Sequence, residues 1–188
     1  MKIAQISPYD FSYYGGVQRH ISSLSNNLQS KGHEVVILSP CSKKNPAIGL
    51  KNLEFRSLGG TIPIPFAGSV ARISPYLRTK NIIQKIFEEE KFDIVHVHEP
   101  FVPIISLTAT NISDVPVIGT FHTFNENESL FFYLGKYLLR NTVNKLSAKI
   151  AVSESSKNYV NKFFPGEYSV IPNGIDIKKF SSVVANIQ

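Results

Sequence analysis

Tryptophan is absent from this chain, and Cys41 is its one cysteine. A single thiol excludes an internal disulfide and any zinc site built from several cysteines of one chain. Nothing in the sequence marks a partner that would activate Cys41, so it reads as a spectator. No uninterrupted apolar run approaches the ~18 residues of a membrane span. The N-terminus carries one lysine, and Gln5, Ser7 and Asp10 interrupt its apolar stretch, which is too short and too polar for a signal peptide. These absences fit the reducing cytoplasm, and the expected location is cytoplasmic, free or peripheral on the inner face of the cell membrane. Three site signatures are also missing: the Gly-x-x-x-x-Gly-Lys-Ser/Thr of phosphate-loop NTPases, the Gly-x-Gly-x-x-Gly of dinucleotide-binding dehydrogenases and the Gly-x-Ser-x-Gly nucleophile elbow of hydrolases.

What is present is a globular composition: 188 residues, 43% hydrophobic and 18% charged, enough for one well-buried core. The net charge of +6 favours anionic partners. The basic residues are dispersed and no nucleic-acid motif occurs, so phosphorylated small molecules and phospholipid headgroups are expected rather than nucleic acid. Short apolar runs at Ile3–Ile6, Val35–Leu38, Ile94–Val97, Val117–Phe121, Ile150–Val152 and Ser169–Ile171 read as buried strands. Helical spacing marks Val17–Ser30, Tyr76–Glu90, Pro103–Asn111, Ser129–Leu146 and Ser155–Phe163. Strand–helix alternation predicts an α/β fold, a Rossmann-like, doubly wound, mainly parallel sheet with helices on both faces. The stretch Pro40–Ser74 is less regular and reads as a loop with one or two extra strands. Residues 1–176 are expected to form one domain and 177–188 the start of a linker.

In an open parallel sheet, ligands bind beyond the carboxyl ends of the strands. Strand one is followed by Ser7, Tyr9 and Asp10, strand Ile94–Val97 by His98 and Glu99, strand Val117–Phe121 by His122 and Thr123, and strand Ile150–Val152 by Ser153 and Glu154. Separate segments thus deliver polar side chains to one rim. Individual members also have plainer readings. His96 lies inside a strand and is expected to be packed and hydrogen-bonded. His20, one turn into the first helix, reads as a surface or packing residue. Ser153 or Glu154 suits the cap of the next helix. His96, His98, Glu99 and His122 make a poor metal set, because Glu99 points away from its neighbours, and no metal is expected. Gly15 and Gly16 join strand one to the first helix. Helix starts carry unpaired N–H groups and partial positive charge, and glycine lets an anion approach that backbone. The pair either cradles a phosphate or only turns the chain.

Ser7-Pro8-Tyr9, Gly15-Gly16-Val17-Gln18, Gly32-His33-Glu34-Val35, His96-Val97-His98-Glu99-Pro100, Thr120-Phe121-His122-Thr123, Val152-Ser153-Glu154 and Ile171-Pro172-Asn173-Gly174-Ile175-Asp176 run in one order along nearly the whole chain. Together they resemble glycosyltransferase family four. With Ile64-Pro65 and Gly68-Ser69-Val70-Ala71-Arg72 added, the pattern is similar to the phosphatidylinositol mannosyltransferases of that family. The resemblance implies the N-terminal, acceptor-binding half of a two-domain GT-B enzyme, retaining and free of bound metal or other cofactor. The expected donor is a nucleotide diphosphate sugar, GDP-mannose, held mainly by a C-terminal domain that is the first expected partner of this one. By match, Gly15 and Gly16 meet the donor diphosphate. Tyr9, Gln18, His122 and Thr123 line the acceptor site, with His122 also catalytic beside the reacting sugar. Asp10, His98, Glu99, Ser153 and Glu154 are expected around the site. Arg72, Arg78, Lys80 and Lys85 correspond to a basic helix that contacts an anionic membrane surface. The family carries a lysine shortly after the His-Thr pair; here that stretch is Phe124-Asn125-Glu126-Asn127-Glu128. A phosphoinositide, another lipid and a soluble sugar therefore all stay open as acceptor. Two rival readings are a non-catalytic acceptor- or partner-binding module and a hydrolase or sugar-nucleotide epimerase of similar fold.

Overall fold

A computed structural model describes residues 1–48, 50, 52–66, 69–124 and 130–175. Expectations for Gly68, 125–129 and 176–188, including the acidic stretch after Phe124 and the linker, lie outside the described residues. In chain order the elements are β1 (Lys2–Ile6), α1 (Gly16–Ser30), β2 (Glu34–Ser39), β3 (Glu54–Ser57), β4 (Ile62–Phe66), β5 (Ser69–Ile73), α2 (Thr79–Glu90), β6 (Ile94–His98), α3 (Ile105–Ile112), β7 (Val117–Phe121), α4 (Leu130–Lys145), β8 (Leu146–Ala151), α5 (Glu154–Phe163) and β9 (Ser169–Val170).

Among the described residues, seven strands form one parallel sheet in the order β3-β2-β1-β6-β7-β8-β9. β1 pairs with β2 on one side and β6 on the other, so the strand order reverses between β1 and β6. That reversal opens a crevice at the carboxyl edge, the usual ligand position in doubly wound sheets. Side chains alternate between faces along each strand. Ala4, Ile6, Val36, Leu38, Val95, Val97, Val117 and Phe121 point to a face covered by Ile83 of α2, Ile105 and Ala109 of α3, Leu139 and Val143 of α4, and Tyr159 and Val160 of α5. On the opposite face a smaller core joins Val35 and Ile37 of β2 to Ile21 of α1, Phe11 and Leu53. The doubly wound expectation holds, with α1 alone on the second face among the described residues. Its buried residues are Gln18, Ile21, Ser22 and Ser25, so the contact with the sheet runs partly through small serines rather than through a purely apolar stripe.

Several elements differ from the sequence reading: α2 starts at Thr79 rather than Tyr76, and α3 at Ile105 rather than Pro103. β8 starts at Leu146, before the expected Ile150, because Ser147 and Ala148 face solvent and hide the strand's apolar signal. The irregular middle holds three strands: β3 pairs in parallel with β2, and β4–β5 form a separate antiparallel hairpin. A backbone bridge from Tyr9 to Ile73 and a bond from the Asp10 amide to the Arg72 carbonyl at 3.2 Å tie this hairpin to the loop after β1.

Gly119 on β7 marks a tight spot in the larger core. A Cβ there would lie 2.8 Å from the Pro100 ring and 2.9 Å from Leu146. The proline ring cannot swing away, so Gly119→Ala is expected to destabilise the fold by about 1–3 kcal/mol through overpacking. A lowered urea midpoint would report this; an unchanged midpoint would contradict it.

Candidate active site at the carboxyl edge of the sheet

α1 begins without a side-chain cap. Gly15 is its N-cap in extended conformation, and the first turn contains no acidic residue. The first backbone N–H groups therefore remain available to an external acceptor. The two glycines serve different ends. At Gly15 an added Cβ would fall 2.2 Å from Gln18 Oε1, so glycine makes room for the Gln18 side chain. Gln18 folds back and donates from Nε2 to the Asp10 carbonyl at 3.1 Å. At Gly16 an added Cβ would meet nothing within 4 Å. The space above Gly16 is open, as close approach by a ligand requires.

Beside this helix start lies a cavity of about 440 Å³, lined by Tyr9, Asp10, Tyr13, Tyr14, Gly15, Gly16, Val17, Gln18, Val70, Ala71, Arg72 and Thr123. Asp10 organises the loop that builds it. Its carboxylate accepts from the Ser12 amide at 2.8 Å, the Ser42 amide at 3.1 Å, the Thr61 hydroxyl at 2.6 Å and the Ser42 hydroxyl. Those bonds hold its pKa below the usual value, against the opposing pull of burial. Arg72 lies 4.1 Å from the centre of the Tyr13 ring, and Lys43 Nζ lies 4.6 Å from it. Such contacts orient a cation without neutralising it.

Behind the cavity stands a group of histidines. His98 is fully buried; its Nδ1 lies 2.9 Å from His122 Nε2 and its Nε2 lies 2.9 Å from Gln5 Oε1. His96 stacks on His98 at 4.4 Å and bonds Thr120 Oγ1 at 2.7 Å. His20 meets the rings of His98 and His122 edge-on at 5.6 and 5.3 Å. Burial lowers all four pKa values, His96 to about 4 and His122 to about 3, with neighbouring histidines adding to the shift for His96, His98 and His122. Burial thus favours the neutral form of each imidazole in the group. A neutral His122 suits a hydroxyl partner rather than an anion. Ring nitrogens of His20, His98 and His122 lie within 4.8 Å of one another, and these are the side chains placed to approach a metal ion together. His98, however, already uses both nitrogens in hydrogen bonds. Glu34, Glu54 and Glu90 also cluster, but Lys2 and Arg56 pair with them.

Glu99 follows β6 in a left-handed conformation, φ 50°. Its carboxylate accepts from the His122 amide at 2.7 Å and the Thr123 hydroxyl at 2.8 Å. Burial raises its pKa. Tyr9 touches Thr123 from the other side, and burial together with the Glu99 charge pushes its phenol pKa up.

The structure therefore brings Tyr9, Asp10, Gly15, Gly16, Gln18 and Thr123 together on the cavity; His98, Glu99 and His122, expected at the site, are not among its lining residues and connect to it through the Glu99–Thr123 hydrogen bond. Ser153 and Glu154 take other places. Ser153 caps α5 by accepting from the Ser156 amide at 3.0 Å, and Glu154 is exposed and paired with Lys157 at 3.6 Å. Arg72 needs correcting as a helical membrane residue: it lies on β5, half-buried against Tyr13, and lines the cavity. Of the remaining basic set, Arg78 precedes α2, Lys80 and Lys85 are exposed on it, and Lys85 pairs with Glu89. Ile83, Ile82, Ile86 and Phe87 of α2 pack on the core and are not free for lipid. The sequence reading took His20 for a surface or packing residue and Gln5 only for an interruption of the first apolar stretch, whereas the structure brings both into the histidine group. Two signals pointed to them: His20 sits one turn after Gly16, and Gln5 is a polar residue inside an otherwise apolar strand.

The lowered histidine pKa values fix a sign for stability against pH. The unfolded chain takes up protons on His96 and His122 below about pH 6.5, whereas the folded chain resists until about 4 and 3. Their contribution is complete above about pH 6.5 and shrinks in acid by up to about 1.4 kcal/mol per pH unit for each histidine. Glu99, with its raised pKa, opposes this over part of the range, but the histidines outnumber it. The urea midpoint is expected to be lower at about pH 5 than at about pH 7; an equal or higher midpoint in acid would contradict the buried neutral cluster.

With this geometry in view, comparison with known proteins is specific. A model of Glycosyltransferase Family 4 matches residues 14–179. The phosphatidyl-myo-inositol mannosyltransferase of Mycobacterium tuberculosis is 36% identical over 182 residues, covering 97% of this chain and 47% of that protein. The alpha-monoglucosyldiacylglycerol synthase of Acholeplasma laidlawii is 26% identical over 198 residues, covering 96% and 48%. The chain spans about half the length of the curated relatives it matches. Among solved structures, sucrose-phosphate synthase from Thermosynechococcus elongatus superposes with a TM-score of 0.68 at 14% identity, covering 94% of this chain and 49% of that one. That likeness concerns the fold, which is the N-terminal half of a GT-B glycosyltransferase. The chain belongs to glycosyltransferase family 4.

Proposed function

We propose that this chain is the acceptor-binding half of a retaining glycosyltransferase that moves a sugar from a nucleotide diphosphate donor to a hydroxyl of a lipid acceptor. Mannose from GDP-mannose is the donor we favour. In the reaction the bond from the anomeric carbon to the diphosphate breaks and a bond to the acceptor oxygen forms. The nucleoside diphosphate leaves and the hydroxyl proton is released. The observation that carries the reading is the uncapped, unobstructed start of α1 at Gly16, opening onto a cavity that also holds Tyr9, Gln18 and Thr123. Helix N–H groups and the end dipole suit the negative charge that grows on a departing diphosphate. Neutral His122, behind Thr123, suits a sugar hydroxyl. The names of the mycobacterial and Acholeplasma relatives both specify a lipid, which favours a lipid over a soluble acceptor. Arg72, held against Tyr13 at the cavity wall, offers a cation to an acidic headgroup even though the segment after Thr123 brings none.

The test uses the chain joined to its donor-binding half. Incubation with a panel of nucleotide sugars and lipid acceptors, with product masses measured, is expected to yield a mannosylated lipid. Donor turnover without a glycoside product would favour an epimerase or hydrolase and sink the reading. In the same enzyme, Gly16→Val is expected to leave folding intact, because the added atoms meet open space. It should cut transfer by about a hundredfold or more by blocking backbone approach to the diphosphate. Undiminished transfer would remove Gly16 from the site.

We place a membrane-facing surface at the start of α2, where exposed Tyr76 and Leu77 adjoin exposed Arg78 and Lys80. Each basic residue near an anionic surface contributes about 1 kcal/mol, so docking should be weak and salt-sensitive. No described helix is long and apolar enough to cross a membrane. Co-sedimentation with vesicles rich in anionic lipid should fall when Arg78 and Lys80 are both changed to Glu. Equal sedimentation of the two proteins would count against this surface.

A further inference from the structure

Gln5 has a polar side chain on β1, fully buried, in register with His96 and on the face that carries the histidines. Its amide oxygen faces His98 Nε2 at 2.9 Å. A carbonyl oxygen only accepts, so with the amide in this orientation, which leaves Gln5 Nε2 buried without a hydrogen-bond partner, His98 Nε2 bears the proton in this pair. A neutral imidazole carries a single N–H, which leaves His98 Nδ1 as a bare acceptor. That acceptor lies 2.9 Å from His122 Nε2, so His122 must donate from Nε2. By the same rule His122 Nδ1 is left with a lone pair, and that atom is buried without a hydrogen-bond partner. Thr120 cannot break the chain, since its hydroxyl bonds His96. The Glu99 carboxylate accepts from the backbone and from Thr123, so among the described residues His98 is the hydrogen-bond partner of the His122 imidazole, with His20 edge-on to its ring at 5.3 Å.

We propose that Gln5 is a positioning residue: through His98 it fixes the tautomer of His122, so that His122 offers a bare Nδ1 acceptor. A ligand group that reaches this buried Nδ1 must bring its own proton, as a hydroxyl does and an ionised phosphate oxygen does not. This consequence for the ligand rests on the proposed glycosyl-transfer reading; the tautomer assignment does not.

The experiment is long-range nitrogen–proton correlation of the imidazoles in the nitrogen-labelled chain, near neutral pH. The His122 signals are assigned by their loss in His122→Asn. In the unaltered chain Nε2 is expected to appear protonated and Nδ1 unprotonated. In Gln5→Met, which keeps the length of the side chain but removes the acceptor, both His122 nitrogens are expected to move toward the averaged positions of two exchanging tautomers while the backbone amide spectrum stays folded. A protonated Nδ1 on His122 in the unaltered chain overturns the proposal. So does a His122 pattern that Gln5→Met leaves unchanged. Should Gln5→Met fail to fold, the unaltered chain decides alone. Because no turnover is measured, failure of the transferase reading would leave this result standing, and the reverse.

Discussion

The carboxylate of Glu99 ties the ends of two strands together, and the site depends on that tie. β6 ends at His98 and β7 at Phe121. Left to themselves, the segments beyond would diverge into separate loops. Glu99 instead turns back in a left-handed conformation and accepts from the His122 amide and the Thr123 hydroxyl. A non-glycine residue held at positive φ costs on the order of 1 kcal/mol. Hydrogen bonds to a carboxylate contribute roughly 1.5–3 kcal/mol each, which is enough to hold it there. The result fixes His122 against His98 and places Thr123 on the cavity wall with Tyr9 and the start of α1.

Two kinds of electrostatics then meet across a short distance. At the start of α1 the backbone offers uncompensated N–H groups, and Arg72 adds a full positive charge at the cavity. Behind Thr123 the histidines are kept neutral by burial, and each bears on the others' charge. On the proposed reading, anion recognition falls to backbone and arginine, and hydroxyl recognition to the imidazoles. A charged histidine in the same place would blur that division, because it would attract the diphosphate of the proposed donor.

Much of this was legible in the sequence because it follows from period and punctuation. The run Val117–Phe121 matched β7 at both ends, and Gly15-Gly16 before the spacing of α1 marked an uncapped helix start. The gathering of strand ends on one rim follows from parallel pairing alone. What the sequence hid depends on tertiary contact. Nothing in the order of residues says that β5 folds over the loop after β1, so Arg72 looked like part of a basic helix until the Tyr9–Ile73 bridge placed it. His20 needed the rotation of α1 about its axis, which the packing of Ile21, Val17 and Leu28 on β2 and its neighbours sets together with the buried Ser22 and Ser25. Ser153 was readable both as a cap and as a site residue, and the backbone demand at the start of α5 decided for the cap. The early start of β8 was invisible because its second face has no described helix over it to demand apolar residues.

The most direct measurement is a titration of the labelled 188-residue chain with inorganic pyrophosphate, following every backbone amide. Saturable shifts centred on Gly15, Gly16 and Val17, spreading to Tyr9 and Thr123 and lost in Gly16→Val, are expected. Shifts centred on the basic start of α2, or spread evenly over the surface with Gly16 unmoved, would contradict an anion cradle at the carboxyl edge of the sheet.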